Sequence, residues 1–464
     1  MKESAIILYS VLALFTSSWL EASPVRNDNQ NYAVTNASVR VSNGVYKADF
    51  WVERLDNPDK PILTPEQIVE LNKGILDEND EMANVSELEG AVSKQRLTDW
   101  LLEDPIPPDR QMFDRRGRPL KEAFYRELMG NMNLEGIRES NELIFGVIAR
   151  RADIRAFPTD EPVLKSPSAK DFDVFQYSAI YPPQPVALLH KSKDEKWGFF
   201  QTPFVRGWIK MADVVFAMNR DDIKTKADKS LVITGSKVKV FKKQEVRSQK
   251  SEVRRKTVVE TVPMGTTLVL QGEDKNRWLV KVPEKDKDGL LVWTDAYIEK
   301  RADVHIGPLS YTKQNVIKQA FKALGEGYGW GGRKGLRDCS SFIQDVFATM
   351  GINLPRNSSR QAAVGKVLMD LEESASPDDI KKALDLAVPG ITLFGLNGHI
   401  MLYLGNINGN YYTLHQFFGY RDKDGFRTVN KAVVTNLELG KGSKMGPIWE
   451  RIKSVNLVIP DGVN

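Results

Sequence analysis

A single cysteine, Cys339, in 464 residues leaves this chain no internal disulfide and no cysteine-based zinc cluster. Whatever folds must therefore be held chiefly by buried apolar surface. One core does not grow to that size. At roughly 100–200 residues per domain, the length implies three or four domains. Composition allows this: 41% of the residues are apolar and 27% charged, ordinary for globular domains. The net charge of +4 is mild and makes no case for nucleic-acid binding, although a basic balance suits contact with an anionic polymer.

Residues 1–23 read as a secretory signal peptide. Lys2 supplies the charged start, residues 5–15 a short apolar run, and Thr16, Ser17, Ser18 and Ala22 small residues for cleavage. The run is short for a spanning helix, and no other long apolar stretch follows. The expectation is an exported protein, periplasmic or secreted, with no stable membrane insertion once the signal is removed.

Residues 24–142 read as a helical N-terminal support region. It opens on a polar leader to residue 47. Thr64-Pro65-Glu66-Gln67 then has the form of a capping box with proline in the first turn. Ile68, Leu71 and Ile75 follow at helical spacing, and 85–102 and 120–128 predict further helices around the Pro-rich 105–108. From 143 the pattern changes to short strands. Residues 143–225 hold Ile154–Phe157, Val186–Leu189, Trp197–Phe200 and Gly207–Ile209, spacing that fits a small β-barrel. Residues 226–302 echo it with Val238–Phe241, Thr267–Leu270, Trp278–Val280 and Leu291–Trp293. Both units, and the run SKDEKWGFFQTPFVRGWI above all, resemble bacterial SH3-like domains. Between 236 and 256 nine Lys and Arg face two Glu, a solvated hairpin tip or a surface for an anionic wall. In residues 303–464 helical periods come first and strand periods later, an α+β order.

The chemistry concentrates in this last region. Gly327-Tyr328-Gly329-Trp330-Gly331-Gly332 precedes Asp338-Cys339-Ser340-Ser341-Phe342, and apolar residues then recur 3, 4, 7, 8 and 11 positions after Cys339. Cys339 thus starts a helix, where free N–H groups and the positive dipole end favour a thiolate and suit an oxyanion. The glycines lack the Gly-Lys-Ser/Thr of a phosphate loop. Of four histidines, His190 falls in the first barrel and His305 in the linker before the last domain, while His399 and His415 lie downstream of Cys339 in strand-like segments flanking Asn408-Gly409. A two-residue turn there pairs Leu402 with His415 and sends the two rings to opposite faces. An odd-length loop or a bulge is needed to bring them together.

These motifs, with Tyr403, Gly405 and the segment Pro355-Arg356-Asn357-Ser358, resemble the NlpC/P60 family of cell-wall cysteine endopeptidases. The resemblance implies a papain-like α+β domain behind two SH3-like barrels, acting without metal or cofactor. It implies cleavage of the γ-D-glutamyl–diaminopimelate bond in peptidoglycan stem peptides such as L-Ala-γ-D-Glu-diaminopimelate. Cys339 is then the nucleophile, His399 the base and His415 its orienting partner, with Tyr328 beside the oxyanion. Asp338, Ser340 and Ser358 are implied at the free amine of the substrate's L-Ala. Asp338 has a second reading, as the cap of the cysteine helix. Two other functions stay open on these residues: a wall-binding protein with an inactive hydrolase domain, and a related-fold acyltransferase or amidase.

Overall fold

The computed structural model describes residues 33–34, 43–106, 108–224, 229–242, 257–370 and 376–462. The signal peptide, most of the polar leader and six of the nine basic residues between 236 and 256 lie outside the described residues.

Three seven-stranded sheets organise the described chain. The first is built from strands between Ile144 and Phe216, in the spatial order 214–216, 144–148, 185–191, 197–201, 206–210, 152–155, 176–180. Its interior is Ile148, Ile154, Val186, Leu188, Phe200, Ile209 and Val214, packed on one face. The second runs from Ser230–Ile233 to Val304–Ile306, its long hairpin Arg277–Lys285/Leu291–Glu299 paired over nine positions. Val304–Ile306 pairs with Ser230–Ile233, so this sheet closes beyond residue 302 and His305 sits in a strand rather than a linker. The boundary drawn at 302/303 falls inside the sheet because the polar sequence there gives no sign of the pairing.

The third sheet belongs to the C-terminal region. Its order is Ala33–Val34, Gly425–Asn436, Asn410–Asp422, His399–Ile407, Thr392–Leu396, Ile452–Leu457 and Lys366–Asp370. Helices Lys313–Phe321 and Cys339–Ala348 pack on one face through Val316, Ile317, Ala320, Phe342, Ile343 and Val346. Helix Pro377–Asp385 covers part of the other through Ile380, Ala383 and Leu384.

Residues 43–142 contain four short α-helices, at Ala48–Val52, Pro65–Asp77, Lys94–Leu101 and Glu122–Asn131. Thr64 and Gln67 close the capping box on the second. The periodicity over 85–102 predicts one helix. Instead Ala91–Ser93 pairs as a strand with Ser140–Glu142, and helix Lys94–Leu101 starts only after the Ser93 cap. Partners distant in sequence win over local periodicity there.

This N-terminal stretch has no core of its own among the described residues. Trp51, Leu63, Leu71 and Ile75 join the interior of the C-terminal region, while Leu97, Leu101, Leu128 and Met132 join Phe157, Phe175 and Trp208 of the first sheet. Trp51 rests on Tyr412 with ring centroids 5.4 Å apart. Asn72 ties helix Pro65–Asp77 to the C-terminal region twice, donating to the Gly351 carbonyl at 2.8 Å and accepting from the Asn353 amide at 2.8 Å.

Candidate active site

Cys339 is the first residue of its helix and 6% exposed. Asp338 caps that helix: its Oδ1 accepts from the Ser341 amide at 2.9 Å, and the Asp338 amide donates to the Ser341 hydroxyl oxygen at 3.0 Å. The same carboxylate is paired with Arg356, whose Nη2 donates to Oδ2 at 2.6 Å, and it accepts the Gly331 amide at 2.9 Å. Arg356 also donates to the hydroxyls of Ser340 and Ser178, each at 2.7 Å, so one buried guanidinium joins the cysteine helix to the first sheet. Removing one partner of such a buried pair costs about 3–5 kcal/mol, because the other charge is stranded. Burial opposes ionisation of Asp338, yet Arg356 and the Ser341 hydrogen bonds hold its carboxyl below the usual value.

The two histidines meet through an irregularity in their hairpin. Asn408 and Gly409, both with positive φ (52° and 81°), form the two-residue turn, and Ile407–Asn410, Asn406–Tyr411 and Gly405–Tyr412 pair in the register it dictates. The register then slips between Tyr403 and Gly405, leaving Leu404 as a bulge, and beyond it Tyr403 pairs with Thr413 and Leu402 with Leu414. One extra residue changes the parity, so His399 and His415 share a face. His399 Nε2 lies 2.6 Å from His415 Nδ1, and His415 Nε2 lies 3.0 Å from Thr435 Oγ1.

This chain of contacts has a direction. If Nε2–H of His399 donates to His415 Nδ1, then Nε2–H of His415 donates to the Thr435 hydroxyl, and His399 Nδ1 keeps a lone pair for a proton. The backbone amides of Ser340 and Ile400, the latter adjacent to His399, donate toward the Cys339 sulfur. Phe417 packs against both rings, 4.5 Å from His415 and 5.7 Å from His399 between centroids.

Electrostatics keep these groups neutral. Burial, then the Asp338 charge, pushes the Cys339 thiol up to about 12, outweighing the helix N–H groups that the sequence led us to expect would favour a thiolate. Burial, then Arg451, pushes His399 down to about 3. His415, with no exposed surface, is held well below its ordinary value by burial and by His399. Both shifts favour the uncharged forms, a thiol at Cys339 and a neutral imidazole at His399. Tyr328, raised by burial and then by its neighbours Cys339 and Asp338, stays a protonated donor.

A second wall comes from the first sheet. Gly331 and Gly332, at φ 57° and 75°, press their backbone onto strand Gln176–Ile180, where a Cβ on either would lie about 2.5 Å from Gln176 or 2.6 Å from Ala179. Gln176 donates to the Gly331 carbonyl at 2.9 Å, Arg151 to the Gly332 carbonyl at 2.8 Å, and the Trp330 indole to the Asp173 carbonyl at 2.8 Å. The glycines are therefore there for close backbone approach. Phe172, in the loop ahead of strand Gln176–Ile180, meets Trp330, Tyr328 and Phe418 at 5.3, 6.3 and 4.5 Å between ring centroids.

Of the residues expected at the site, Asp338 and Ser340 are buried and bonded as described. Ser358 opens the short helix Ser358–Gln361, partly exposed, and its hydroxyl has no hydrogen bond among the described residues. His190 and His305 lie elsewhere, His190 on the carbonyls of Met132 and Asn133. Arg356, Thr435, Phe172 and Arg451 were not singled out from sequence. Arg356 alone carried a local signal, its place between Pro355 and Ser358 in a motif already quoted.

Comparison with known proteins adds an independent line. A model of the NlpC/P60 family matches residues 325–417, and a model of an SH3 domain (SH3b1 type) matches 162–210. The bifunctional muramidase/DL-endopeptidase CwlT of Bacillus subtilis (strain 168) is 32% identical over 113 residues, which cover 23% of this chain and 32% of that protein. The probable endopeptidase p60 of Listeria seeligeri is 45% identical over 67 residues, 14% of this chain and 12% of the relative. The matches thus span a third or less of these curated relatives. A solved structure described as a novel NlpC/P60 endopeptidase from Photobacterium damselae subsp. piscicida shares the fold, with a TM-score of 0.68 over 88% of this chain and 97% of that one at 19% identity.

Proposed function

We propose that this protein is a cysteine endopeptidase of bacterial cell-wall peptides, because a model of the NlpC/P60 family matches residues 325–417 and a model of an SH3 domain (SH3b1 type) matches residues 162–210. The observation that carries the reading is the run of contacts from His399 through His415 to Thr435, with the Ile400 amide next to His399 reaching the sulfur of a helix-starting cysteine. In this mechanism the Cys339 sulfur attacks a peptide carbonyl as His399 Nδ1 takes its proton. His415 holds the tautomer and orientation of His399 and steadies the imidazolium that forms. The Cys339 amide and the Tyr328 hydroxyl donate to the oxyanion. His399 then protonates the departing amine, and water, deprotonated by His399, hydrolyses the thioester. No step calls for a metal or cofactor.

The substrate we assign is the γ-D-glutamyl–diaminopimelate bond of stem peptides with a free N-terminal L-Ala. Ser358 offers a free hydroxyl to the ammonium, and Ser340 and Asp338 contribute the polar floor, with the Asp338 charge shared by Arg356. The wall of Phe172 against Phe418 and Trp330 favours short peptides over crosslinked wall. The second sheet is read as another SH3-like unit, and the site of action as outside the cytoplasm. Among the described residues no helix is long and apolar enough to cross a membrane.

Mass spectrometry of digests of L-Ala-γ-D-Glu-diaminopimelate, with Cys339→Ala beside wild type, tests this. The expected products are L-Ala-γ-D-Glu and free diaminopimelate from wild type only. Equal cleavage by the variant sinks the assignment of Cys339, and passage of the acyl group to an added amine rather than to water would make the protein a transferase.

A further inference from the structure

Arg451 is the charged residue near the site that the mechanism leaves without work. It ends the turn Ile448–Arg451, whose place is fixed on both sides. Ile448 and Ile452 are buried in the cluster that also holds Phe417, the ring packed on both histidines. Amides 448 and 449 donate to the carbonyls of Leu439 and Leu437 at 3.0 and 3.1 Å. The register then carries Arg451 to His399: Ile452 pairs with Leu396, and Leu396 pairs with His399. The guanidinium is partly buried, its Nε has no hydrogen-bond partner, and among the described residues it makes no ion pair. Its charge is felt at His399.

A cation set beside the proposed base, partly desolvated and steadied only by the charge of its neighbour Glu450, is costly in the free protein. It becomes favourable when an anion arrives, since a guanidinium and a carboxylate make two parallel charge-assisted hydrogen bonds. The two faces of the sheet say on which side that anion lies. Helix Ser358–Gln361, where the L-Ala end is read to bind, runs into Ala362, packed with the cysteine helix in one cluster, whereas Arg451 lies between Ile448 and Ile452, both in the cluster of the other face. With the L-Ala end of the peptide at Ser358, the side left for Arg451 is that of the amine protonated by His399.

We propose that Arg451 reads a carboxylate of the departing diamino acid, and so sets which cell-wall peptides are cut. This rests on the endopeptidase reading above. Diaminopimelate has such a carboxylate at the end of its side chain, and lysine at the same position does not. A second carboxylate, the C-terminal one, is present in either tripeptide.

The test compares L-Ala-γ-D-Glu-diaminopimelate with L-Ala-γ-D-Glu-L-Lys, each as the free acid and as the C-terminal amide, for wild type, Arg451→Gln and Arg451→Lys. Wild type should favour the peptide bearing the recognised carboxylate in kcat/KM by on the order of 10- to 100-fold. Loss of preference in the diaminopimelate–lysine pair identifies the side-chain carboxylate, and loss in the acid–amide pair the terminal one. Arg451→Gln should bring the ratio near unity, chiefly through KM, and Arg451→Lys should restore part of it, which a purely structural role would not do. An unchanged ratio in a folded Arg451→Gln protein overturns the proposal, as does a wild type that cuts all four peptides equally. A wild type that cuts none of them overturns the endopeptidase reading itself.

Discussion

Burial drives Cys339 and His399 toward their neutral forms from opposite directions, and the consequence is a pH dependence that can be signed. His415 is fully buried with its pKa depressed, so the unfolded chain takes up a proton there that the folded protein refuses. Between the two values the unfolded state binds more protons, so stability rises with pH and is lost as pH falls below the ordinary histidine value. We expect the melting temperature to drop on going from pH 7 to pH 5, with a slope of up to about 1.4 kcal/mol per pH unit for each such histidine. His415→Gln should flatten that slope in denaturation curves run across the range; an undiminished slope would contradict the assignment. The same variant should lower kcat by about 10²–10⁴ with KM little changed, since it disturbs the tautomer and not the pocket. Thr435→Val should do so more mildly. That Cys339 starts a helix and that His399 and His415 follow in paired strands was legible in the sequence, because a sole cysteine at a helix start with two downstream histidines is a local, countable pattern. Arg356, Phe172 and Arg451 were not, because their roles arise only when segments far apart in the chain are brought together.

At the scale of elements, the hairpin holding the two histidines is the part most exposed to a simple change. Its two-residue turn enforces one register and the Leu404 bulge shifts it by one. Deleting Leu404 should leave Tyr403 opposite Thr413 in a regular ladder and keep His399 and His415 on one face, with hydrolysis preserved. One residue inserted between Met401 and Leu402, with the turn and bulge kept, should instead turn the two rings to opposite faces and abolish hydrolysis while the protein keeps its strand content by circular dichroism. Activity in that insertion would show that the histidine contact is dispensable. Parity made the need for a bulge or odd loop readable from residue numbers, but not its position, since nothing at Leu404 marks it. The glycine turn offers a second check. Gly332→Val places a branched side chain where a Cβ already lies 2.6 Å from Ala179. The variant should lose about 1–3 kcal/mol of stability by overpacking and strain at positive φ, read as a lower denaturant midpoint.

Seen as a whole, the molecule has more joints between its parts than its strand patterns suggested. The order of helical region, two strand-rich units and α+β region could be read from periodicity. That the first of these lacks its own interior could not, because periodicity says which face is buried and not against what. Trp51 is 2% exposed and sits in the C-terminal interior. Trp51→Ala should therefore destabilise the cysteine-bearing region by about 3–5 kcal/mol, although no residue of that region changes. Thermal unfolding followed by peptidase activity measures it, and an unaltered midpoint would mean the contact adds nothing.

That same contact sets an order in time. A ribosome releases the Trp51 segment early and the Tyr412 strand on which it rests several hundred residues later, tens of seconds apart at roughly 5–20 residues per second. Until then the indole has no completed surface to rest on. The interior behind Cys339 closes only when the far strands have emerged, so the chain completes its fold late in its own synthesis.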